Sequence, residues 1–199
     1  LAIELSANSG VPRLNLARQL LKRGKLDEAA TLLRETMKSM PMRSEYVDSA
    51  FAWQELGWEQ YRAGDWENCL DSLVISCQLQ TGGTGDAFQW IVMALAHQQL
   101  STDEQLTPTE RASHTSEAKR LYLKSTPFDR THRQRMGSEA PVGIWDFCQE
   151  MEESLGMEGV REVLQADASG PTELRRRMAG MMIRHQRYDE VLVYYQSCL

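Results

Sequence analysis

The sequence predicts an all-α protein, an α-solenoid of stacked helical hairpins, and three observations support this fold class. Apolar residues recur at i, i+3, i+4 and i+7 along most of the 199 residues. Small residues recur at the same spacing before and after a turn residue that is itself repeated along the chain. Hydrophobic residues make up 42% of the chain and charged residues 25%, which is ordinary for a globular protein. Because one amphipathic hairpin cannot bury its apolar face alone, we expect neighbouring hairpins to stack.

The clearest hairpin lies in the second quarter of the chain. Trp53 and Leu56 supply large apolar side chains on its first predicted helix, and Gly57 follows them directly. Gly64 marks a tight turn, and Cys69 is the small residue of the second helix. Where two helices cross, small side chains let the backbones approach and larger ones fill the remaining space. The pattern therefore predicts two closely packed antiparallel helices.

The same spacing of small residues and turn residues recurs before and after this hairpin. Ser101 takes the turn position of the third copy, and residues 186–188 take that of the last. The segment 102–116 lengthens the third copy and predicts an exposed loop or a lengthened helix start. The small and turn residues of these other copies are Ala17, Gly24, Ala29, Ala94, Ala118 and Ala179.

The spacing Trp-x-x-Leu-Gly followed by Gly-Asp-aromatic, at residues 53–57 and 64–66, resembles the tetratricopeptide repeat (TPR). That family implies a right-handed superhelix of two-helix units of about 34 residues. We divide the chain into the tail of a preceding repeat at 1–9, repeats at 10–43, 50–83 and 87–132, a divergent helical hairpin at 133–171 and a truncated repeat at 172–199. Six residues at 44–49 are expected to lengthen a connection. Both ends fall inside predicted repeats, so we expect a fragment of a larger array.

Several short segments look more specifically like repeat regions appended to bacterial serine/threonine protein kinases. They are residues 65–69, 82–90, 93–97 and the stretch from Phe147 to Met157. No kinase motif is present, so this resemblance implies only an accessory role. It gives the alternative function, a regulatory or substrate-recruiting segment of a multidomain enzyme.

Charge and motif content argue against several other functions. The formal net charge of −6 argues against nucleic-acid binding, and no apolar run is long enough to cross a membrane. The four cysteines form no C-x-x-C pair and the histidines are scattered, so we expect no metal or cofactor. The glycine-rich loop at 81–85 lacks the Lys-Ser/Thr of a phosphate-binding loop. We expect no catalytic site and a cytoplasmic location.

Other polar residues have unremarkable explanations. The arginine runs at 130–135 and 175–177 are expected to be solvated helix surface, and His97 is expected to pack in the core or groove. Glu150, Glu152 and Glu153 crowd one helix, but carboxylate catalysis requires convergence across a cleft.

The expected function is a protein-interaction scaffold. In the repeat frame, the first helix of each hairpin lines a concave face, and here that face is apolar and aromatic. Trp and Tyr are enriched at binding hot spots, so the groove is expected to bind a peptide or partner helix. The alternative is that a neighbouring helix, 144–155, folds back and covers it. The residues expected to line the groove are Leu14, Arg18, Phe51, Gln54, Trp58, Tyr61, Phe88, Ile91 and Leu95.

Overall fold

The computed structural model describes residues 10–39, 44–80, 84–125, 144–167, 171–187, 190, 191 and 193, and within these ranges it is all-helical. Eight helices follow one another there: α1 (Gly10–Lys22), α2 (Leu26–Ser39), α3 (Ser44–Arg62), α4 (Trp66–Leu79), α5 (Ala87–Leu100), α6 (Pro108–Ser125), α7 (Ile144–Asp167) and α8 (Pro171–Arg184). The all-α prediction is therefore confirmed for this part of the chain. None of these helices is long and apolar enough to cross a membrane.

Consecutive helices pack as hairpins, and each hairpin rests on the one before it. The three pairs are α1 with α2, α3 with α4 and α5 with α6. Helix α3 contacts both helices of the first pair, α5 contacts both helices of the second, and α7 contacts both helices of the third. One apolar cluster joins the first two hairpins, and a second runs from α3 to α8.

Three of the turns share one hydrogen-bond pattern. At Gly24, Gly64 and Gln186, the turn residue donates its N–H to the carbonyl three residues earlier. The next residue donates to the carbonyl five positions before it, which together makes a Schellman C-cap. All three turn residues have positive φ, at 71°, 77° and 56° respectively. The predicted turn positions in the first, second and last copies thus have the same backbone geometry.

The third hairpin turns differently, because of its extra residues. Ser101 has φ −65° and ψ −18°, so the left-handed residue found in the other turns is absent at this position. A short irregular segment follows, and α6 begins at Pro108. For 102–116 the sequence predicts either an exposed loop or a lengthened helix start. Most of this segment forms the lengthened start of α6. The extra residues at 44–49 are also helical, since α3 begins at Ser44, which corrects their interpretation as a connection.

The small residues of the repeat phase lie where helices meet. Five of them, Ala17, Ala29, Cys69, Ala94 and Ala118, have no exposed surface, and Ala179 is 3% exposed. Trp53 and Leu56 are also fully buried. Burial of small residues beside large ones is what close helix crossing requires.

Helix α7 is interrupted at Gly156, where φ is 67° and ψ is 168°. This break separates Ile144–Leu155 from the following helical stretch and agrees with the restart of the apolar pattern expected there. The tail at 1–9, the segment 126–143 and most of the residues after 187 lie outside the described residues, so part of the divergent hairpin and of the last repeat does too.

A buried polar network positions α5 against the second hairpin. The fully buried Gln89 donates through Nε2 to Ser76 Oγ at 2.7 Å and to Gln54 Oε1 at 3.2 Å. Its Oε1 accepts from the backbone N–H of Asp86, completing a capping box at the start of α5. Because each buried polar atom needs its partner, the network fixes the orientation of α5.

Candidate interaction surface on the inner helices

The nine residues expected to line an open groove differ sharply in exposure. Arg18 and Trp58 are partly buried, and Phe51 keeps 48% of its surface exposed. The other six are buried, which corrects the expectation that they would be open to a partner; they are Leu14, Gln54, Tyr61, Phe88, Ile91 and Leu95. The predicted inner face, defined by these nine residues, thus has a closed end and an open end.

The closed end is an aromatic cluster completed by α7. The rings of Trp58 and Phe88 lie 3.9 Å apart, centroid to centroid. Phe147, from α7, packs edge-on against Phe88 at 5.8 Å and against Tyr61 at 6.0 Å. Such aromatic pairs add stability beyond the area they bury. The alternative in which residues 144–155 cover the groove is therefore the one found at this end.

A polar contact adds to this closure. The hydroxyl of Tyr61 donates a short hydrogen bond to Glu150 Oε1 on α7. Burial, reinforced by this carboxylate, raises the pKa of Tyr61 well above its ordinary value. Tyr61 therefore stays protonated and keeps donating at any physiological pH.

The open end lies on α1 and α3. Phe51 and Val11 lie at the same position of the predicted repeat on these two helices. Val11 is 45% exposed. On the same two helices, Arg18 Nε lies 3.3 Å from Glu55 Oε2, so a partly buried ion pair links α1 to α3. The open end thus combines exposed aromatic and aliphatic side chains with a charged pair on the same two helices.

Three buried polar atoms on the first helices of the hairpins lack a hydrogen-bond partner among the described residues. They are Ser49 Oγ, Trp58 Nε1, a donor, and Gln98 Oε1, an acceptor. An unpaired buried donor or acceptor costs about 1–3 kcal/mol. Trp58 and Gln98 occupy inner-face positions of the predicted repeat, and neither atom is exposed to solvent.

A buried tyrosine–glutamate–histidine arrangement joins α6 and α7 to the turn after α8. The carboxylate of Glu152, 3% exposed, accepts from the Tyr122 hydroxyl at 2.9 Å. Its other oxygen lies 3.0 Å from His185 Nε2. A cavity of about 160 Å³ adjoins this group and includes Glu152 and His185 in its lining. Sequence reasoning missed this arrangement, since no spacing relates residues from three separate elements.

The three crowded glutamates do not share one site. Glu153 Oε1 lies 3.8 Å from His185 Nδ1, on the same imidazole that Glu152 approaches, whereas Glu150 lies apart from them. Glu150 and Glu152 lie on different sides of α7, one toward Tyr61 and the other toward Tyr122. Within the described ranges, no three metal-ligating side chains come together in a way that could hold a metal ion. Burial raises the pKa of Cys69 to about 12 and of Cys77 to about 11, so both thiols stay protonated at neutral pH.

The remaining motifs contribute nothing to the inner face. Residues 81–83 of the glycine-rich loop and the arginine run at 130–135 lie outside the described residues. The second run lies in α8. His97 is partly buried and contacts His114 on α6.

No family model matches this chain. A comparison with curated proteins also finds no match. The TPR resemblance thus stays a prediction that depends on the repeat phase of the sequence.

Proposed function

We propose that this chain is a protein-interaction module, a right-handed solenoid of TPR-like hairpins that binds a protein or peptide on the open end of its inner face. The observation that carries the proposal is the exposure of Phe51 and Val11 at equivalent positions of adjacent helices. Exposed apolar side chains that recur on one face commonly mark interaction sites. In this proposal the protein is cytoplasmic, uses no cofactor, and is not an enzyme.

Three features support the solenoid part of the proposal. Each hairpin packs on its predecessor, three turns share one Schellman geometry, and small residues recur at the crossings. In a stacked array every unit contacts only its neighbours, and the first helices of successive units form a continuous surface.

The partner chemistry follows from the open end. Phe51 and Val11 offer apolar contact, and the Arg18–Glu55 pair offers both a donor and an acceptor at the edge. We expect an apolar or amphipathic segment with flanking polar groups, rather than the acidic tails that would require a cluster of lysines.

The test compares two equally exposed apolar residues. Phe51 is 48% exposed on the inner face, whereas Ile183 is 50% exposed on α8. A partner identified by crosslinking, then purified, should bind Phe51→Ala about 5- to 30-fold more weakly, the range expected when a hot-spot aromatic is truncated. Ile183→Ala should bind it like the unsubstituted chain. Equal affinities for all three proteins would contradict binding at the open end.

The second candidate function, a recruiting segment of a multidomain kinase, is favoured by the sequence resemblance of residues 65–69 and 82–90. It predicts that the catalytic domain or its substrate is the partner of this same surface. Sequencing the gene beyond the present chain would distinguish the two, because only the second candidate requires a linked catalytic domain.

A further inference from the structure

Two histidines face each other between α5 and α6. The Nδ1 atoms of His97 and His114 are 2.7 Å apart, and the ring centroids are 5.0 Å apart. At this distance one nitrogen must donate a proton and the other must accept it. The pair can therefore form with both rings neutral or with one ring charged, but not with both charged.

His114 lies in the part of α6 that the other hairpins lack. The described side chains from Pro108 to Glu117 are exposed or partly buried, and fully buried packing begins at Ala118. These first turns thus have little apolar surface to hold them against α5. The imidazole pair joins them to α5 at a point where hydrophobic contact is weak.

We propose that His97 and His114 form an acid-sensitive latch, which holds the first turns of α6 against α5 and releases them when both imidazoles are protonated. Two adjacent imidazolium rings lose their hydrogen bond and repel each other in a partly desolvated site. The inference is independent of any partner at the inner face.

The surrounding charges are consistent with this role. Burial, together with His114, lowers the pKa of His97 from 6.5 to about 4, while Glu117 opposes the shift and Arg120 adds to it. Hydrogen bonds from Thr107 lower the pKa of Glu110 at the start of α6.

Charged groups on the neighbouring elements have other contacts. From α7, Glu150 bonds Tyr61, Glu152 bonds Tyr122 and lies against His185, and Glu162 pairs with Lys119. On α3, Glu59 pairs with Arg62. From α4, the uncharged Ser72 and Ser76 hydrogen-bond to α3 and α5. The Cys77 thiol, whose pKa burial raises to about 11, donates to Gln89 Oε1 on α5.

The direction in which pH changes the latch follows from the difference between the pKa of His97 in the held state and its ordinary value. The held state disfavours the second proton of the pair, the one that His97 takes, and the released state does not. The latch is therefore stable above pH 6.5 and weakens as the pH falls toward 4. These two values imply a change of about 30-fold in the released-to-held ratio between pH 7.5 and pH 5. Solvent screening at this partly exposed site reduces it to about tenfold.

Hydrogen exchange on the full chain tests the latch, with EDTA present to exclude adventitious metal. After correction for the intrinsic rate at each pH, amides of 109–117 should exchange about tenfold faster at pH 5 than at pH 7.5. The double variant His97→Asn, His114→Asn retains a donor and an acceptor without titrating, so its corrected exchange should not depend on pH. Thr109→Ala, an exposed change in the same turns, should behave like the unsubstituted chain.

Two results would overturn the proposal: equal corrected exchange at both pH values in the unsubstituted chain, or the same pH dependence in the double variant. If the double variant fails to fold, NMR titration of the unsubstituted chain decides instead. The latch requires that His97 titrates well below the ordinary histidine value. Titration of His97 near that value would contradict it.

Discussion

Gly57 on α3 lies against Leu73 on α4 with no room for a side chain between them. A Cβ built at Gly57 would lie 2.7 Å from Leu73 Cγ and 2.8 Å from its Cδ2. Leu73 is fully buried, so it has little space into which it could move. The absence of a side chain at residue 57 thus sets how closely the second hairpin packs.

We therefore expect the added Cβ of Gly57→Ala to cost about 1–3 kcal/mol by overpacking the core. The gain of about 1 kcal/mol that alanine brings to a helix interior offsets part of this cost, so the net result should be a destabilisation of up to about 2 kcal/mol. Gly159→Ala is the control, because its Cβ would make only an ordinary 3.4 Å contact with Leu155. Urea unfolding should show opposite signs for the two; stabilisation by both would mean that Leu73 can move aside.

Gln186 has a left-handed conformation, with φ 56°, at a turn position where Gly24 and Gly64 occur in the first two hairpins. Gln186→Gly should stabilise the last turn by about 0.5–1 kcal/mol, since glycine adopts positive φ without steric cost. Gln78→Gly, at an exposed site inside α4, should destabilise by about 1 kcal/mol. Thermal melts of the two variants should move in opposite directions.

The two ends of the inner face should respond differently to truncation. Phe88 is 3% exposed and packs against Trp58 and Phe147, so Phe88→Ala should cost about 3–5 kcal/mol of stability. Phe51→Ala, at the open end, should change the free energy of unfolding by about 0.5 kcal/mol or less. Similar losses for both would show that Phe51 is covered in solution, which would also remove the basis of the proposed binding surface.

Removing the Tyr122 hydroxyl tests the buried Glu152. Tyr122→Phe leaves this carboxylate with one donor fewer in a buried site, and should cost about 1–3 kcal/mol. Tyr61→Phe is a matched change, because it also removes a hydroxyl that bonds a glutamate of α7, but Glu150 is only partly buried. Chemical denaturation should give the larger loss for Tyr122→Phe. The reverse order would mean that Glu152 finds another donor.

The sequence by itself determined the helices, the three equivalent turns and the small residues at the crossings. These features depend on local periodicity and on backbone conformations that glycine favours, both of which are encoded over a few residues. Gly24 and Gly64 therefore predict their turns correctly. The extra residues at 44–49 were misplaced because helix boundaries depend on packing as well as on pattern.

Only the tertiary structure decided which part of the inner face is open. Phe51 and Phe88 occupy the same frame position, yet α7 buries one and leaves the other exposed. Likewise, the contacts of Glu152 with Tyr122 and His185, and of His97 with His114, join residues far apart in the chain or on separate helices. A pattern read along the chain contains no distance between helices, so these relationships arise only when the hairpins pack.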